Sequence, residues 1–403
     1  MALQSSGPIS NNDIAGEFGG STPHSLSEYY RNGSLVPGNN TNVPTSGTIR
    51  LSDFYGAVNE IIVNISASAT DVNANTLFGT NWGSSVPKRL IINSGVTVGG
   101  VSAAALTLNG SMGGTLVVEN NGSIQGFGGA SNGGNGGNAI QADQTASVTI
   151  TNNSGGQIYA GGGGGGQGGS GGPGGAGGQG GTGGGGQATT SSEPGGTPMG
   201  LPANCNSRCV NNYGSGSICV GNCTFQSLPP QLGGGFAMQC HLCRVFTTTN
   251  TSGGAGGAGG AGSTSGGAGG TGGRGRGYNQ TQQNGSSGSA GPSGSAGSSG
   301  SSGGTNAGTG GTGGTGGSGG TGGTGGNGGD WGTNGTGGST GSTGATGNTG
   351  ATGANGNRTN GSAGSAGSNG SSGSGGSGAG SAGIYITNRS SLTFTNNGAV
   401  AGV

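Results

Sequence analysis

Cysteines carry the most reactive side chains in this sequence, and all six lie in one segment. They are spaced CxxxC, CxxxC and CxxC, at Cys205, Cys209, Cys219, Cys223, Cys240 and Cys243. An even number of cysteines in a segment with little apolar sequence favours disulfides, and six cysteines allow fifteen pairings. Zinc is the alternative, with Cys240 and Cys243 as half of a site, although the spacing is less regular than in a strong zinc motif. Free thiols are the third alternative.

No catalytic set is recognisable elsewhere. His24 and His241 are the only histidines, and Glu193 and Asp330 are the only acids between positions 161 and 383, so a glycosidase pair is not expected there. The glycine runs lack the GK[ST] ending of a phosphate-binding loop. Charged residues make up only 5% of the chain and the formal net charge is zero, which argues against a nucleic-acid-binding protein. We therefore expect no enzyme and, apart from the zinc alternative, no metal or cofactor.

Aromatic, basic and histidine side chains could act by binding, and they are concentrated where a long glycine-rich pattern is interrupted. The candidate contact residues are Arg208, Tyr213, Phe225, Phe236, His241, Arg244, Tyr278, Trp331 and Arg358. Loops on a rigid support commonly carry recognition, and Trp, Tyr and Arg are favoured contact residues. The alternative for Trp331 and Tyr278 is that they only seal the ends of the surrounding structure.

The glycine-rich tract at 161–383 must position these side chains. The chain has 115 glycines in 403 residues, far above the usual ~7%. A flexible linker is one interpretation. The strict three-residue period instead favours polyglycine II, an extended helix whose backbone groups bond neighbouring helices. Collagen is disfavoured because Pro173 and Pro292 are the only prolines within the repeats.

The tract divides into segments of similar length, each spanning on the order of 60–80 Å at polyproline-like rise. They are 161–186, 253–273, 285–303, 308–326, 335–356 and 361–383. The segments at 161–186, 253–273 and 308–326 have a GGX pattern with two bare faces, so we expect them inside a bundle and the other three outside. Alternating directions would place the interruptions at 187–252, 304–307 and 357–360 at the far end, and those at 274–284 and 327–334 at the near end.

A weaker repeat flanks the tract at 105–129, 139–162 and 384–403. Each copy has a strand, then Asn-Asn, a glycine and a second short strand, and its length of roughly 20–25 residues matches one coil of a β-solenoid. We expect the aligned Asn120, Asn152 and Asn396 in turn or left-handed positions. The tract then becomes an insertion that leaves a β-scaffold and returns to it. A structureless loop of about 220 residues would be implausible there.

These observations predict a mainly β and irregular chain with four parts. They are a small N-terminal module at 1–57, β-scaffold coils at 58–160, the glycine-rich bundle at 161–383 with its Cys-rich loop at 187–252, and a final coil at 384–403. Within the first part we expect a short helix capped by Asn11 to Asp13 and a small core. Its candidate members are Phe18, Tyr29, Tyr30, Phe54 and Tyr55.

The runs GPIS, EFGG, SLSEYYR, VPTSGTI and LSDFYGA, within about residues 5–57, resemble the N-terminal module of tailed-phage virion proteins. Such modules occur notably in tail-fibre and receptor-binding proteins of marine and freshwater phages. The resemblance implies that 1–57 attaches the chain to the virion, with the five aromatic residues of the small core as candidate docking residues. The start of the chain lacks the basic and apolar regions of a signal peptide, so we expect synthesis in the host cytoplasm.

The alternation of glycine segments with loops over 161–383 resembles the polyglycine-helix adhesins at the tail-fibre tips of T-even-type phages. The resemblance implies a virion adhesin whose loops bind a host surface receptor, an outer-membrane protein or a glycan, with other tail proteins as partners. The chain departs from that family in its long cysteine-rich loop. Both a homotrimer and a bundle complete in one chain remain open.

Two other functions are considered. The chain could be a structural fibre or decoration protein of the virion without a specific receptor. It could also bind ice through a regular column of threonines at 340, 343, 346, 349 and 352, although the N-terminal module argues against this.

Overall fold

A computed structural model of the chain describes residues 2–192, 217–220, 223–227, 236–240 and 244–403. Strands outnumber helices, so the prediction of a mainly β chain with few helices is confirmed. The α-helices in these ranges are α1, Asn11–Phe18, and α2, Ala74–Phe78, and the 3₁₀ helices are Leu26–Glu28, Leu51–Phe54, Gly79–Asn81 and Arg389–Ser391. None of the helices described is long and apolar enough to cross a membrane.

The strands fall into a scaffold group and a group beside the cysteines. The scaffold strands are β1 Ile61–Ile65, β2 Ala69–Thr70, β3 Val72–Asn73, β4 Lys88–Ile92, β5 Thr97–Gly99, β6 Leu106–Leu108, β7 Leu116–Asn120, β8 Ser123–Gln125, β9 Ile140–Ala142, β10 Val148–Asn152, β11 Gln157–Tyr159, β17 Thr393–Asn396 and β18 Ala399–Ala401. The second group is β12 Gly186–Ser192, β13 Ser217–Val220, β14 Cys223–Ser227, β15 Phe236–Cys240 and β16 Arg244–Thr251.

The N-terminal module forms around α1. Its N-cap is Ser10, one residue before the predicted cap, because Ser10 and Asp13 bond reciprocally as a capping box. The helix buries Phe18, whose ring meets Phe54 edge-on at 6.3 Å between centroids, and Tyr29 meets Phe54 in the same way at 6.2 Å. These contacts close a small apolar core.

The five aromatic docking candidates therefore divide into two groups. Phe18, Tyr29 and Phe54 are buried and hold the module together. Tyr30 and Tyr55 are only partly buried, and their hydroxyls donate to backbone carbonyls of the same module. A docking contact would therefore have to come from the surface of the module, because the first three rings have no free face to offer a partner.

The scaffold is a stack of parallel strands in three rows. The rows are β1-β4-β7-β10-β17, β2-β5-β8-β11-β18 and β3-β6-β9. Within β4, β7 and β10 buried and partly exposed residues alternate, because successive side chains of a strand point to opposite faces. Leu90, Val118 and Ile150 are completely buried and lie in register on successive strands. Each passage through the rows adds one apolar layer to a single core.

The aligned asparagines occupy a position that the sequence did not predict. Asn120, Asn152 and Asn396 are paired in register as the last residues of their strands, and none has a left-handed backbone conformation. The Asn120 amide donates to Oδ1 of Asn152, and the Asn152 amide donates to Oδ1 of Asn396, each at 2.8 Å. The prediction of turn or left-handed positions was wrong because an amide can donate to one layer and accept from the other, which satisfies it inside the stack.

Two insertions leave the scaffold at the same corner. After β8 the chain runs through 126–139 before it forms β9, and after β11 it runs through 160–383 before Ile386 bridges to Ile140 of β9. The whole glycine-rich tract thus departs at the end of the coil formed by β9, β10 and β11, and it returns at the start of the next coil, which contains Ile386, β17 and β18. This explains how the repeat can continue on both sides of the tract.

The glycine segments have no regular helix or strand pattern of their own, and backbone hydrogen bonds connect each segment to its neighbours at every third residue. Segment 161–186 bonds to four others, through pairs such as Gly165 N–H to Gly273 O, Gly311 N–H to Gly181 O and Gly166 N–H to Thr336 O. The connections define two layers of three segments. One layer contains 253–273, 161–186 and 361–383 in that order, and the other contains 285–303, 308–326 and 335–356.

Burial within the tract follows the glycine pattern. In 161–186, 253–273 and 308–326 about two residues in three are buried or partly buried, whereas in 285–303, 335–356 and 361–383 about one residue in three is. The expected difference between GGX and GXY segments is therefore present. It arises because a face can approach another backbone only where it carries no side chain.

Serine hydroxyls supply a second set of contacts that the sequence analysis missed. In 361–383 the hydroxyl oxygens accept backbone N–H groups from 161–186, in the pairs Ser377–Gln167, Ser374–Ser170, Ser368–Ala176, Ser365–Gln179 and Ser362–Thr182. The missing step falls at Pro173, which has no N–H to donate. A matching serine series in 285–303 accepts N–H groups from 253–273. It is interrupted at Pro292, which stands where a serine hydroxyl would accept.

Candidate functional site

The end of the tract that lies away from the strand stack gathers three interruptions. Arg358 N–H donates to Gly185 O at 3.2 Å, and the side-chain amides of Asn306 and Asn357 donate to Gln187 O at 3.2 and 3.0 Å. The starts of 187–252, 304–307 and 357–360 therefore meet at this far end, as predicted. Arg358 is exposed there. Amides that bridge one loop to another hold the three together without needing an apolar core.

A three-stranded antiparallel sheet, in the order β12-β16-β13, extends from the same end. Gly186 pairs with Thr251 at the base of β12 and β16, and β13 pairs with the other edge of β16. Strands β14 and β15 form a separate antiparallel pair. Of the predicted contact residues, Phe225 lies in β14, Phe236 in β15 and Arg244 in β16. Arg208, Tyr213 and His241 lie outside the described residues.

The cysteines divide in the same way. Cys205, Cys209 and Cys243 lie outside the described residues, whereas Cys219 belongs to β13. The backbone register of β14 and β15 puts Cys223 directly opposite Cys240. Directly opposed residues of an antiparallel pair have Cα atoms about 4.5–5.5 Å apart, a separation that suits a disulfide. Disulfides and zinc both stay predictions.

The near-end interruptions lie against the scaffold, as predicted, and they contain the other two aromatic candidates. Tyr278 N–H donates to Gly126 O at 3.0 Å. Its ring covers Gly99 of β5, where an added Cβ atom would lie 2.2 Å from a ring carbon. Only glycine leaves room for this contact, so Tyr278 joins the tract to the scaffold.

Trp331 is the centre of a second near-end cluster. Its ring packs on that of Tyr159 with centroids 5.6 Å apart, and the guanidinium of Arg276 lies 5.4 Å from the Trp331 centroid. Arg276 also forms an ion pair with Asp330 at 3.0 Å. The backbone N–H of Trp331 lowers the pKa of Asp330, with a further contribution from Arg276. Asp330 therefore stays ionised under ordinary conditions, and the stability it contributes is lost only as the pH falls through its lowered pKa.

This cluster borders an open groove of about 1000 Å³ between the tract and the scaffold. The structure brings Trp331 together with Tyr159 and Arg276, neither of which the sequence analysis selected. Arg276 and Asp330 were an available signal, since they are two of the few charged residues of the tract and lie in two interruptions predicted to share one end. Tyr159 gave no such signal, because an aromatic residue ending a strand is ordinary.

Comparisons with known proteins point to one family for part of the chain. Residues 60–235 match the family model described as Phage tail fibre adhesin Gp38. The match includes strands β1 to β11 of the scaffold, the first glycine segment and part of the Cys-rich loop, and it stops before the remaining glycine segments. None of the curated proteins matches the chain.

Among solved structures, the chain is similar to one from the gp37-gp38 adhesin tip complex of the bacteriophage S16 long tail fiber. The identity is 22%, the match covers 41% of this chain and 63% of that chain, and the TM-score is 0.23. The chain thus spans less than two thirds of the solved chain that it matches. The family match over residues 60–235 confirms the predicted resemblance: the chain is similar to phage tail-fibre adhesins.

Proposed function

We propose that the chain is a virion adhesin of a phage tail that binds a host cell-surface receptor through loops at the far end of a polyglycine II bundle. The observation that carries the proposal is the meeting of the start of 187–252 with 304–307 and 357–360 at the end opposite the scaffold. Loops that converge on one end of a rigid support form a continuous surface. The match to the adhesin family supports a binding role in place of a catalytic one.

The bundle part of the proposal rests on backbone hydrogen bonding. Bonds of 2.7–2.9 Å connect 161–186 to its neighbours along most of its length, for example from Gly180 N–H to Gly257 O and from Gly317 N–H to Gly175 O. The glycines of this segment do not have left-handed backbone conformations. A threefold extended helix projects its N–H and C=O groups sideways in this way. Six such helices, held by each other in two layers, would form a support complete in a single chain.

The parallel strand stack would then be a β-solenoid that anchors the bundle, and residues 1–57 would attach the assembly to other tail proteins. The buried aromatic core of the module leaves its surface to make that contact. The chain would therefore reside in the virion tail. The bundle requires no second copy for its backbone bonding, so a homotrimer would have to form through another part of the chain.

The adhesin proposal is tested by competition. The full chain, added in excess, should reduce adsorption of the phage to its host, and a variant lacking 205–243 or carrying Arg358→Ala should compete less well. Thr349→Ala, an exposed change on the outer layer far from both ends, is the matched control. If the loop deletion competes as well as the unaltered chain, the loop does not bind the receptor. The alternative of a structural virion protein without a specific receptor then gains support.

A further inference from the structure

The groove at the near end is lined by residues that have no part in the receptor contact proposed for the far end. Its lining includes the rings of Tyr159 and Trp331, which pack at a tilt of 36°, and Val400 and Ala401 of β18 add an apolar border. The amide side chains of Gln157 and Asn279 also face it. We propose that this groove is a binding site for a neutral oligosaccharide. The proposal does not rest on the receptor role of the far-end loops.

The charge of the groove selects the ligand class. Its cation and its anion, Arg276 and Asp330, neutralise each other at 3.0 Å, and both side chains are about half exposed. An anionic ligand would meet the Asp330 carboxylate and a cationic ligand would meet the Arg276 guanidinium, so each would be opposed by a like charge. A neutral ligand meets no like charge, and it can still form hydrogen bonds with the solvent-exposed side of the Arg276 guanidinium and of the Asp330 carboxylate.

The hydrogen-bonding capacity fits sugar hydroxyls. Among the described residues, the Asn279 side chain and the Tyr159 hydroxyl have no hydrogen-bond partner, and Gln157 uses only its Oε1, which accepts from Ser123. Amides supply both donors and acceptors, and a hydroxyl group can do both at once. A ligand rich in hydroxyl groups therefore matches this lining better than one that only donates or only accepts.

The apolar part of the lining fits the remaining surface of a sugar ring. The face of an aromatic ring carries negative charge density, so it attracts the weakly positive C–H groups of a pyranose. The groove has a volume of about 1000 Å³, at the upper end of the ~300–1,000 Å³ usual for small-molecule sites. The groove is open, so several linked sugar units could lie along it, and we expect weak binding with a dissociation constant on the order of 1 mM.

Tryptophan fluorescence of the full chain provides the test. The chain has two tryptophans, Trp82 and Trp331, and Trp82 is 3% exposed and remote from the groove. Trp82→Phe would leave Trp331 as the single reporter. The probes are four neutral trisaccharides, built from glucose, galactose, mannose and N-acetylglucosamine. At least one should change the Trp331 emission in a saturable manner.

A double variant, Gln157→Ala with Asn279→Gly, should weaken that binding at least fivefold. Asn279 has φ 51°, which glycine tolerates, and neither side chain takes part in the apolar core. Thr349→Ala on the outer layer is the control and should bind normally. The proposal is overturned if none of the four probes gives a saturable change, or if the double variant binds like the control. Saturation-transfer NMR on the same probes provides an independent readout.

The result is separable from the adhesin proposal. Loss of trisaccharide binding in the double variant with normal phage adsorption would mean that the groove binds sugars without serving attachment. Loss of adsorption after deletion of 205–243 with normal trisaccharide binding would assign receptor binding to the far end alone.

Discussion

Replacing Gly178 by alanine places a methyl group where the tract has no room for it. Gly178 lies in the middle of 161–186, and an added Cβ atom would be 1.7 Å from the carbonyl oxygen of Ser365. Real Cβ atoms essentially never approach closer than 3.0 Å, so the two segments would have to separate by about 1.3 Å. The change therefore tests whether the glycine faces set the spacing of the segments.

The magnitude follows from the bonds that this separation would disturb. Next to the clash, Ser365 N–H donates to Gln179 O at 2.8 Å, and Gln179 N–H donates to Ser365 Oγ at 2.7 Å. Loss of one or two such bonds costs about 1 kcal/mol each, and overpacking adds about 1–3 kcal/mol. We expect Gly178→Ala to lower the free energy of unfolding of the tract by about 2–4 kcal/mol.

Gly375 provides the matched control. It lies in 361–383, is exposed, and an added Cβ atom would meet nothing within 4 Å. It occupies the same phase of the repeat as Ala363 and Ala366, which shows that alanine fits this face. Gly375→Ala should be neutral or stabilising by about 0.4–1 kcal/mol, because alanine restricts the unfolded chain.

Differential scanning calorimetry of the full chain would compare the two variants. Hydrogen exchange followed by mass spectrometry would locate the effect. For Gly178→Ala, exchange should accelerate in the two segments that must separate, 161–186 and 361–383, and for Gly375→Ala it should stay unchanged. Equal unfolding temperatures for the two variants, with equal exchange, would refute the steric argument and favour a loosely associated tract.

Three further predictions concern single contacts. Ser368→Ala should destabilise the tract by about 0.5–1.5 kcal/mol, because a backbone N–H loses its acceptor at 2.7 Å, whereas Ser371→Ala, which faces a proline, should be neutral by calorimetry. Lys88→Met should cost about 3 kcal/mol in denaturant unfolding, since the buried ammonium donates to three carbonyls at 2.6–3.0 Å; a cost below 1 kcal/mol would contradict this. Peptide mapping without reductant should recover Cys223 joined to Cys240, and a map with both as free thiols or joined to other cysteines would reject that pairing.

Several features were predictable because they depend on local periodicity. The number of bare glycine faces predicted which segments have the larger share of buried residues, and the alternation of directions predicted that Arg358 would lie far from the scaffold. The aligned repeat matched Asn120 with Asn152, and the two strands pair in that register, because identical strand lengths and spacings allow only one pairing that keeps apolar residues inside.

Other features depend on contacts between distant parts of the chain. The hydrogen-bonded row of Asn120, Asn152 and Asn396 was mistaken for a row of turns, since an isolated Asn favours turns and only a stack of coils supplies amide partners above and below. The serine series was overlooked because its meaning depends on which segment lies opposite. The cluster of Tyr159, Arg276 and Trp331 combines residues more than 50 positions apart, and no periodic signal connects them.

The sequence by itself determined the kind of interaction that would hold this protein together. A chain so rich in glycine has little apolar surface to bury along the tract, and its three-residue period makes backbone groups the available partners. Only the tertiary structure decided which segments are neighbours and where the groove forms. The physical reason is that backbone hydrogen bonds are chemically the same for any pair of segments, so the order of the two layers depends on the ends, where the chain leaves and rejoins the strand stack.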